Sequence, residues 1–222
     1  VRNKIIDEIL ITNEWRDGEF SKLKTKPENI DENLWWRMCI PMIYAHWEGY
    51  VVSSLKLLIE YLNSKELAPS NVPTKFIVIG LGNTYRSLSG KQSFEQRVMF
   101  TEKFNALLKE KIKFTKEAIN TKANLKSDVL EELCSMWDFD YSKFKDLTSD
   151  INQLVHIRNS IAHGENNFIP DSNKISQYIG CIKNAIDIFS MEIEAFIDNE
   201  KYSTITRRIQ APSATGLMIV DQ

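Results

Sequence analysis

Apolar side chains recur at intervals of three and four residues along most of this chain, the period of a helix with one buried face. Ile5, Ile6, Ile9 and Leu10 predict a short amphipathic helix at the start. The stretch from Pro27 to Asp31 is a break, and Asp31 is suited to cap a helix carrying Leu34, Trp35 and Met38. Pro41 either kinks that helix or opens the next. From there to Asn63 the stripe Tyr44, Val51, Leu55, Leu58, Ile59 and Leu62 is continuous, and residues 64–73, with two prolines among polar side chains, read as a loop. Phe76-Ile77-Val78-Ile79 suits a buried strand or a short core helix; with no partner strand elsewhere, the reading over 75–89 is a helix.

The second half follows the same rule. Residues 94–116 are expected to be helical, with Phe100, Phe104, Leu107 and Leu108 facing inward. A polar, Lys-rich link over 117–127 and a short helix over 129–136 come next. A helix over 148–163 is stopped by Gly164. Pro170, Asp171 and Ser172 then start the longest helix, whose stripe Ile175, Ile179, Ile182, Ile186, Phe189, Ile193 and Phe196 has the spacing of a bundle or dimer seam. The residues after Tyr202 are expected to be loosely ordered or irregularly docked.

Composition narrows this picture. In 222 residues there are only eight glycines and six prolines, fewer than strand-rich folds need for their turns. The three cysteines, Cys39, Cys134 and Cys181, are scattered and signal neither a zinc site nor a disulfide framework, which suits a reducing compartment. No apolar run approaches a membrane span, and Lys4, Asp7 and Glu8 interrupt any leader-like run at the start. A cytoplasmic protein without membrane contact is expected. The net charge of −2 argues against a broad basic coat for nucleic acid, although a small cleft needs far fewer contacts. Charge is uneven: residues 97–126 carry eight Lys or Arg against three Glu, and residues 128–150 carry seven acids against two Lys. The basic stretch suits an RNA path or, more plainly, a solvated helix face.

Chemistry concentrates in His156-Ile157-Arg158-Asn159-Ser160-Ile161-Ala162-His163-Gly164-Glu165. On a helical projection Leu147, Ile151, Leu154, Ile161 and Ala162 make one apolar face with Arg158 in its middle. A guanidinium there is costly unless paired. Asn159 and His163 share the neighbouring face at i, i+4, so a cation, an amide and an imidazole meet at one helix end. Helix geometry alone favours a structural salt bridge and an exposed histidine near the helix end.

Arg158-Asn159-Ser160-Ile161-Ala162-His163 resembles the R-x4-H motif of the HEPN superfamily, with Asn159 as the polar residue that commonly follows the Arg. Its place late in the chain, at a helix end before a short loop and a long final helix, is similar as well. So is the Tyr44-Ala45-His46-Trp47-Glu48-Gly49-Tyr50 stretch. The resemblance implies an all-α HEPN-like bundle over 34–199, with a helical extension over 1–33 and an irregular tail over 200–222. It further implies a homodimer whose two motifs meet in an interface cleft. Many such proteins are metal-independent endoribonucleases of toxin or phage-defence systems, controlled by an antitoxin or sensor partner. Arg158 would then hold the scissile phosphate, His163 would move a proton, and Asn159 would orient one or the other. Some members are non-catalytic modules that regulate a partner protein or bind a nucleotide, and that alternative stays open.

Other candidates carry less. Glu48 is expected either to hold Arg158 in the cleft or to stay half-exposed beside Trp47. His46 points away from Glu48 and reads as a packing or surface residue. His46-Trp47-Glu48 lacks the P-C-x-x-C partner of a zinc deaminase. His156 and His163 stand about 10 Å apart along a helix, too far to share a metal. Gly80-Leu81-Gly82-Asn83-Thr84-Tyr85 lacks the third glycine of a dinucleotide loop. No metal and no cofactor is therefore expected. The five tryptophans read as core or interface aromatics.

Overall fold

The structure is a computed structural model that describes residues 4–82 and 92–205. Within them every regular element is helical: α1 (Lys4–Asn13), α2 (Trp15–Leu23), α3 (Glu32–Ser64), α4 (Thr74–Leu81), α5 (Phe94–Leu107), α6 (Ser127–Trp137), α7 (Thr148–Ala162) and α8 (Ser172–Asp198), with short 3-10 turns between. The caps follow local chemistry. The Asp31 carboxylate accepts from Leu34 N–H (2.9 Å) and that of Asp171 from Lys174 N–H (2.7 Å), each satisfying a first-turn donor. Ser93 and Gln96 close a reciprocal capping box on α5.

The three central helices are α3, α7 and α8, which pack on one another, while α1 lies against α3 and α8. Ile5, Ile6 and Ile9 of α1 are buried in the same core as Val51, Leu55 and Leu58 of α3. α3 runs through Pro41 as one helix of 33 residues. The proline removes one ladder bond, but Ile40, Ile43 and Tyr44 are buried on either side of it and hold the helix together. Most of the α8 stripe is consumed within the subunit: Ile175, Ile179, Ile182, Phe189, Ile193 and Phe196 are fully buried and Ile186 is half-buried, so the stripe serves the bundle. Buried Glu192 of α8 accepts from Asp140 N–H (2.7 Å) and pairs with Lys143 (2.5 Å), tying the 3-10 turn over Tyr141–Leu147 to the core.

Residues 94–116 depart from expectation. The helix ends at Leu107, and α5 buries no side chain: Phe100, Phe104 and Leu107 are half-buried and Leu108 is exposed. Residues 111–115 are extended instead, with Ile112 and Phe114 inward and Lys111, Lys113 and Thr115 outward. This segment is held to the end of α3 like an added strand. The Asn63 carboxamide donates to Phe114 C=O and accepts from Phe114 N–H, both at 2.9 Å, and Ile112 N–H donates to Leu67 C=O (2.9 Å).

The helix expected over 75–89 exists as α4; residues 83–89 lie outside the described set, as does the tail beyond Ile205. A Cβ on Gly80 would stand 2.7 Å from Ile112 Cγ2, so this glycine lets the extended segment close on α4. Gly82, with φ +50°, ends that helix. Both glycines of the Gly-Leu-Gly sequence are thereby accounted for by packing and termination. Trp36, Trp47 and Trp137 are core residues and Trp35 is half-buried, whereas Trp15 is exposed.

Candidate functional site

The site forms where the end of α7, the middle of α3 and the link over 119–126 converge. α7 stops in a Schellman arrangement: Gly164 N–H donates to Ile161 C=O (3.0 Å) and Glu165 N–H to Ser160 C=O (2.9 Å), with Gly164 at φ +81°. This fixes His163 as the capping residue, exposed, its imidazole making no side-chain hydrogen bond among the described residues. Arg158 lies at the margin of the buried face and not at its centre. The buried residues of α7 are Ile151, Leu154, Val155, Ile157 and Ser160, while Arg158 and Asn159 are half-buried and Ala162 is exposed.

The Arg158 guanidinium lies 4.5 Å above the ring of Tyr44, a residue of α3 buried by the bundle. Its Nη1 donates to Asn159 Oδ1 (2.9 Å) and makes a longer contact to Ala123 C=O (3.5 Å). Asn159 in turn donates to Asn124 Oδ1 (3.0 Å). No carboxylate lies within ion-pair distance of Arg158 among the described residues. Glu48 does not hold it; the Glu48 carboxylate accepts from Thr121 Oγ1 (2.6 Å) and neighbours the Tyr44 hydroxyl. Glu48 therefore acts on the link, one step removed from the guanidinium. Burial is the main reason the Tyr44 phenol is pushed up to about 12; the Leu125 N–H and Arg158 pull it down and Glu48 pushes it further up. Tyr44 stays neutral at physiological pH, an aromatic face for Arg158 and an acceptor for the backbone.

The link is a strap stitched across α3 and α7. Leu125 N–H donates to Tyr44 Oη (2.9 Å), Trp47 Nε1–H donates to Leu125 C=O (3.3 Å), and Ser127 N–H donates to Asn152 Oδ1 (2.9 Å). Lys122 (φ +55°) and Ala123 (φ +49°) are both left-handed, which turns the Ala123 carbonyl towards Arg158. Lys122 pairs with Glu132 and Lys126 with Asp128, so the acids of α6 neutralise the last two lysines of the basic stretch.

A second guanidinium holds the loop after the exposed histidine. Arg37 of α3 donates to Asn166 Oδ1 and, through Nη2, to Glu165 C=O (3.0 Å), fastening the loop that follows His163. Its buried Nε–H has no partner. Neither Arg37 nor the strap residues Thr121, Ala123 and Asn124 are visible in the hydrophobic pattern; an Arg in a Trp35-Trp36-Arg37 run was the one available signal.

His156 is exposed and edge-on to Phe168 (5.4 Å), with no role in the cluster. His46 is a packing histidine, 3% exposed between Phe20 and Trp15, 3.4 Å from Arg16 and 3.1 Å from Glu19. Burial lowers its pKa, Arg16 adds to that effect, and Glu19 opposes it. Among the described residues no three His, Cys, Asp or Glu side chains come together as a metal site. No described helix is long and apolar enough to cross a membrane.

A helical bundle that sets an Arg and an exposed imidazole five residues apart at a glycine-stopped helix end is consistent with a HEPN-type domain. More particularly, the chain belongs to the RiboL-PSP-HEPN family, whose model matches residues 11–195. The match takes in α2 and the strap as well as the core helices. No curated protein and no solved structure matches the chain.

Proposed function

We propose that this protein is a metal-independent endoribonuclease that cuts at a composite site between two copies of the chain. The observation that carries this is Arg158: a half-buried guanidinium braced by Tyr44 and Asn159 with no carboxylate to balance it among the described residues. Such a cation is built to accept an anion, and the scissile phosphate supplies one. His163, exposed beside it in sequence and untethered, suits proton transfer.

In the proposed reaction the ribose 2′-oxygen attacks phosphorus, forming the P–O2′ bond as the P–O5′ bond breaks. One His163 takes the 2′-hydroxyl proton and the His163 of a second subunit gives one to the departing 5′-oxygen. The products carry a 2′,3′-cyclic phosphate and a 5′-hydroxyl. Asn159 orients Arg158, and Glu48 supports the strap through Thr121. The face around the loop that Arg37 fastens exposes Leu34, Met38 and Ile169, apolar area suited to a homodimer contact. Family membership favours a toxin or phage-defence role in the cytoplasm, held in check by an antitoxin or sensor protein.

A second reading, a non-catalytic module that binds a partner or nucleotide, is favoured by one fact: Asn159 bonds Arg158 and Asn124, leaving His163 without a second group to orient it. The test is the chemistry of the ends and the order of the reaction. Products ending in 2′,3′-cyclic phosphate, with specific activity rising as the protein dimerises, support the composite nuclease. Products with 3′-hydroxyl ends, or full activity from a monomer, exclude it.

A further inference from the structure

We propose that α5 and the extended segment after it form a track for single-stranded RNA leading towards the Arg158 site; RNA as the ligand rests on the nuclease reading. α5 is the one α-helix among the described residues that buries nothing, yet it is not polar. Phe94 is 73% exposed, Met99 is 53% exposed, and a shallow groove is lined by Phe94, Arg97, Val98, Thr101 and Glu102. The Arg97 guanidinium lies 5.8 Å from the Phe94 ring centroid, an aromatic and cationic pair of the kind on which bases stack.

The cations continue from there. Lys103, Lys109, Lys111, Lys113 and Lys116 are exposed and take part in no ion pair among the described residues, whereas Lys122 and Lys126 are each neutralised. Lys111 and Lys113 alternate with buried Ile112 and Phe114, so both project from the same outer face, about 7 Å apart. The direction of the segment is set by its two anchors. Phe114 is bound by Asn63 near the end of α3, and Leu125 is bound by Tyr44 beside Arg158. Those α3 positions are about 28 Å apart at helical rise, so the chain that follows α5 runs, from 114 to 125, from the end of α3 to the site. Protein interfaces are depleted in lysine, whereas a polyanion releases counterions from each lysine it meets. The charge decides between the two partners in favour of RNA.

The experiment is fluorescence anisotropy of a labelled single-stranded RNA of mixed sequence, in EDTA. It uses the full chain carrying His163→Ala to keep the RNA intact. Added charge reversals at Lys109, Lys111 and Lys113 are expected to weaken binding at least about tenfold and to reduce the slope of log affinity against log salt by about 2. Phe94→Ala is expected to weaken single-strand binding about 5- to 100-fold, with little effect on a duplex of the same sequence. Alanine replacements of the three lysines give the same direction and guard against a folding defect. RNA affinity indifferent to all these changes overturns the track, as does a loss of self-association in the α5 variants with RNA affinity unchanged. Cleavage by wild type together with that indifference leaves the nuclease reading standing. Lysine-dependent binding by a protein that never cuts removes the nuclease reading and keeps the track.

Discussion

Tyr44 makes two separable contributions, and replacing it tests both. Its hydroxyl is the acceptor for Leu125 N–H, and both residues are buried. Tyr44→Phe leaves that N–H without a partner in a dry environment, at a cost of about 1–3 kcal/mol. For a chain of this size each kcal/mol lowers Tm by about 2–4 °C, so a fall of about 2–12 °C is expected in thermal unfolding followed by circular dichroism. The ring beneath Arg158 remains, so cleavage measured well below Tm stays within a few-fold of wild type. Tyr44→Leu removes the ring too. It forfeits a cation–π contact worth about 0.5–2 kcal/mol and frees the guanidinium to wander from its 4.5 Å perch. Cleavage then falls about 10-fold or more below that of Tyr44→Phe at matched distance from Tm, mainly in kcat. A Tyr44→Phe protein as stable as wild type refutes the anchoring of the strap. A Tyr44→Leu protein that cuts like Tyr44→Phe refutes the bracing of Arg158.

Other outcomes follow from particular contacts. Gly164→Ala forces a side chain into a left-handed conformation at φ +81° and costs about 1–2 kcal/mol, read as a lower denaturant midpoint; it also moves His163, so cleavage drops more than stability explains. Gly80→Ala drives a Cβ to 2.7 Å from Ile112 and costs about 1–3 kcal/mol, with the extended segment losing protection in hydrogen exchange first. His46 is held neutral by burial, with a folded pKa below its ordinary 6.5. The unfolded chain therefore binds more protons than the folded one between that lowered value and 6.5, and stability falls as pH drops through this window. Denaturant unfolding across that range should show the slope in wild type and a flatter one in His46→Gln. Equal slopes would show that the packing around Arg16 and Glu19 does not set it.

Where the sequence predicted structure well, the signal was local. Asp31 caps as expected, the last helix starts at Pro170-Asp171-Ser172, Gly164 stops α7, and the α8 stripe is buried except for the half-buried Ile186, because each depends on residues within a turn or two of one another. Periodicity does not reveal how deeply a face is covered, and so α5 could be expected to point inward although none of its side chains is fully buried. Four alternating residues at 111–114 were too few to outweigh a helical reading, and their partners, Leu67 and Asn63, are distant in sequence. Arg158, Asn159 and His163 could be singled out as candidates because the motif sits within one helix end. Their surroundings were not, because the strap contributes backbone groups: the Ala123 carbonyl and the Leu125 N–H have no signature in side-chain pattern. Of the two expectations for Glu48, the half-exposed one fits and the bond to Arg158 does not form; its partner Thr121 was not legible because it lies 73 residues further along the chain.

The central claim is that Arg158 and His163 cut RNA without metal. It is tested most directly by incubating purified wild type, Arg158→Ala and His163→Ala proteins with single-stranded RNA in excess EDTA. The account predicts cleavage by wild type and a loss of about 100-fold or more in each variant. RNA left intact by wild type, or cut equally by all three proteins, contradicts it.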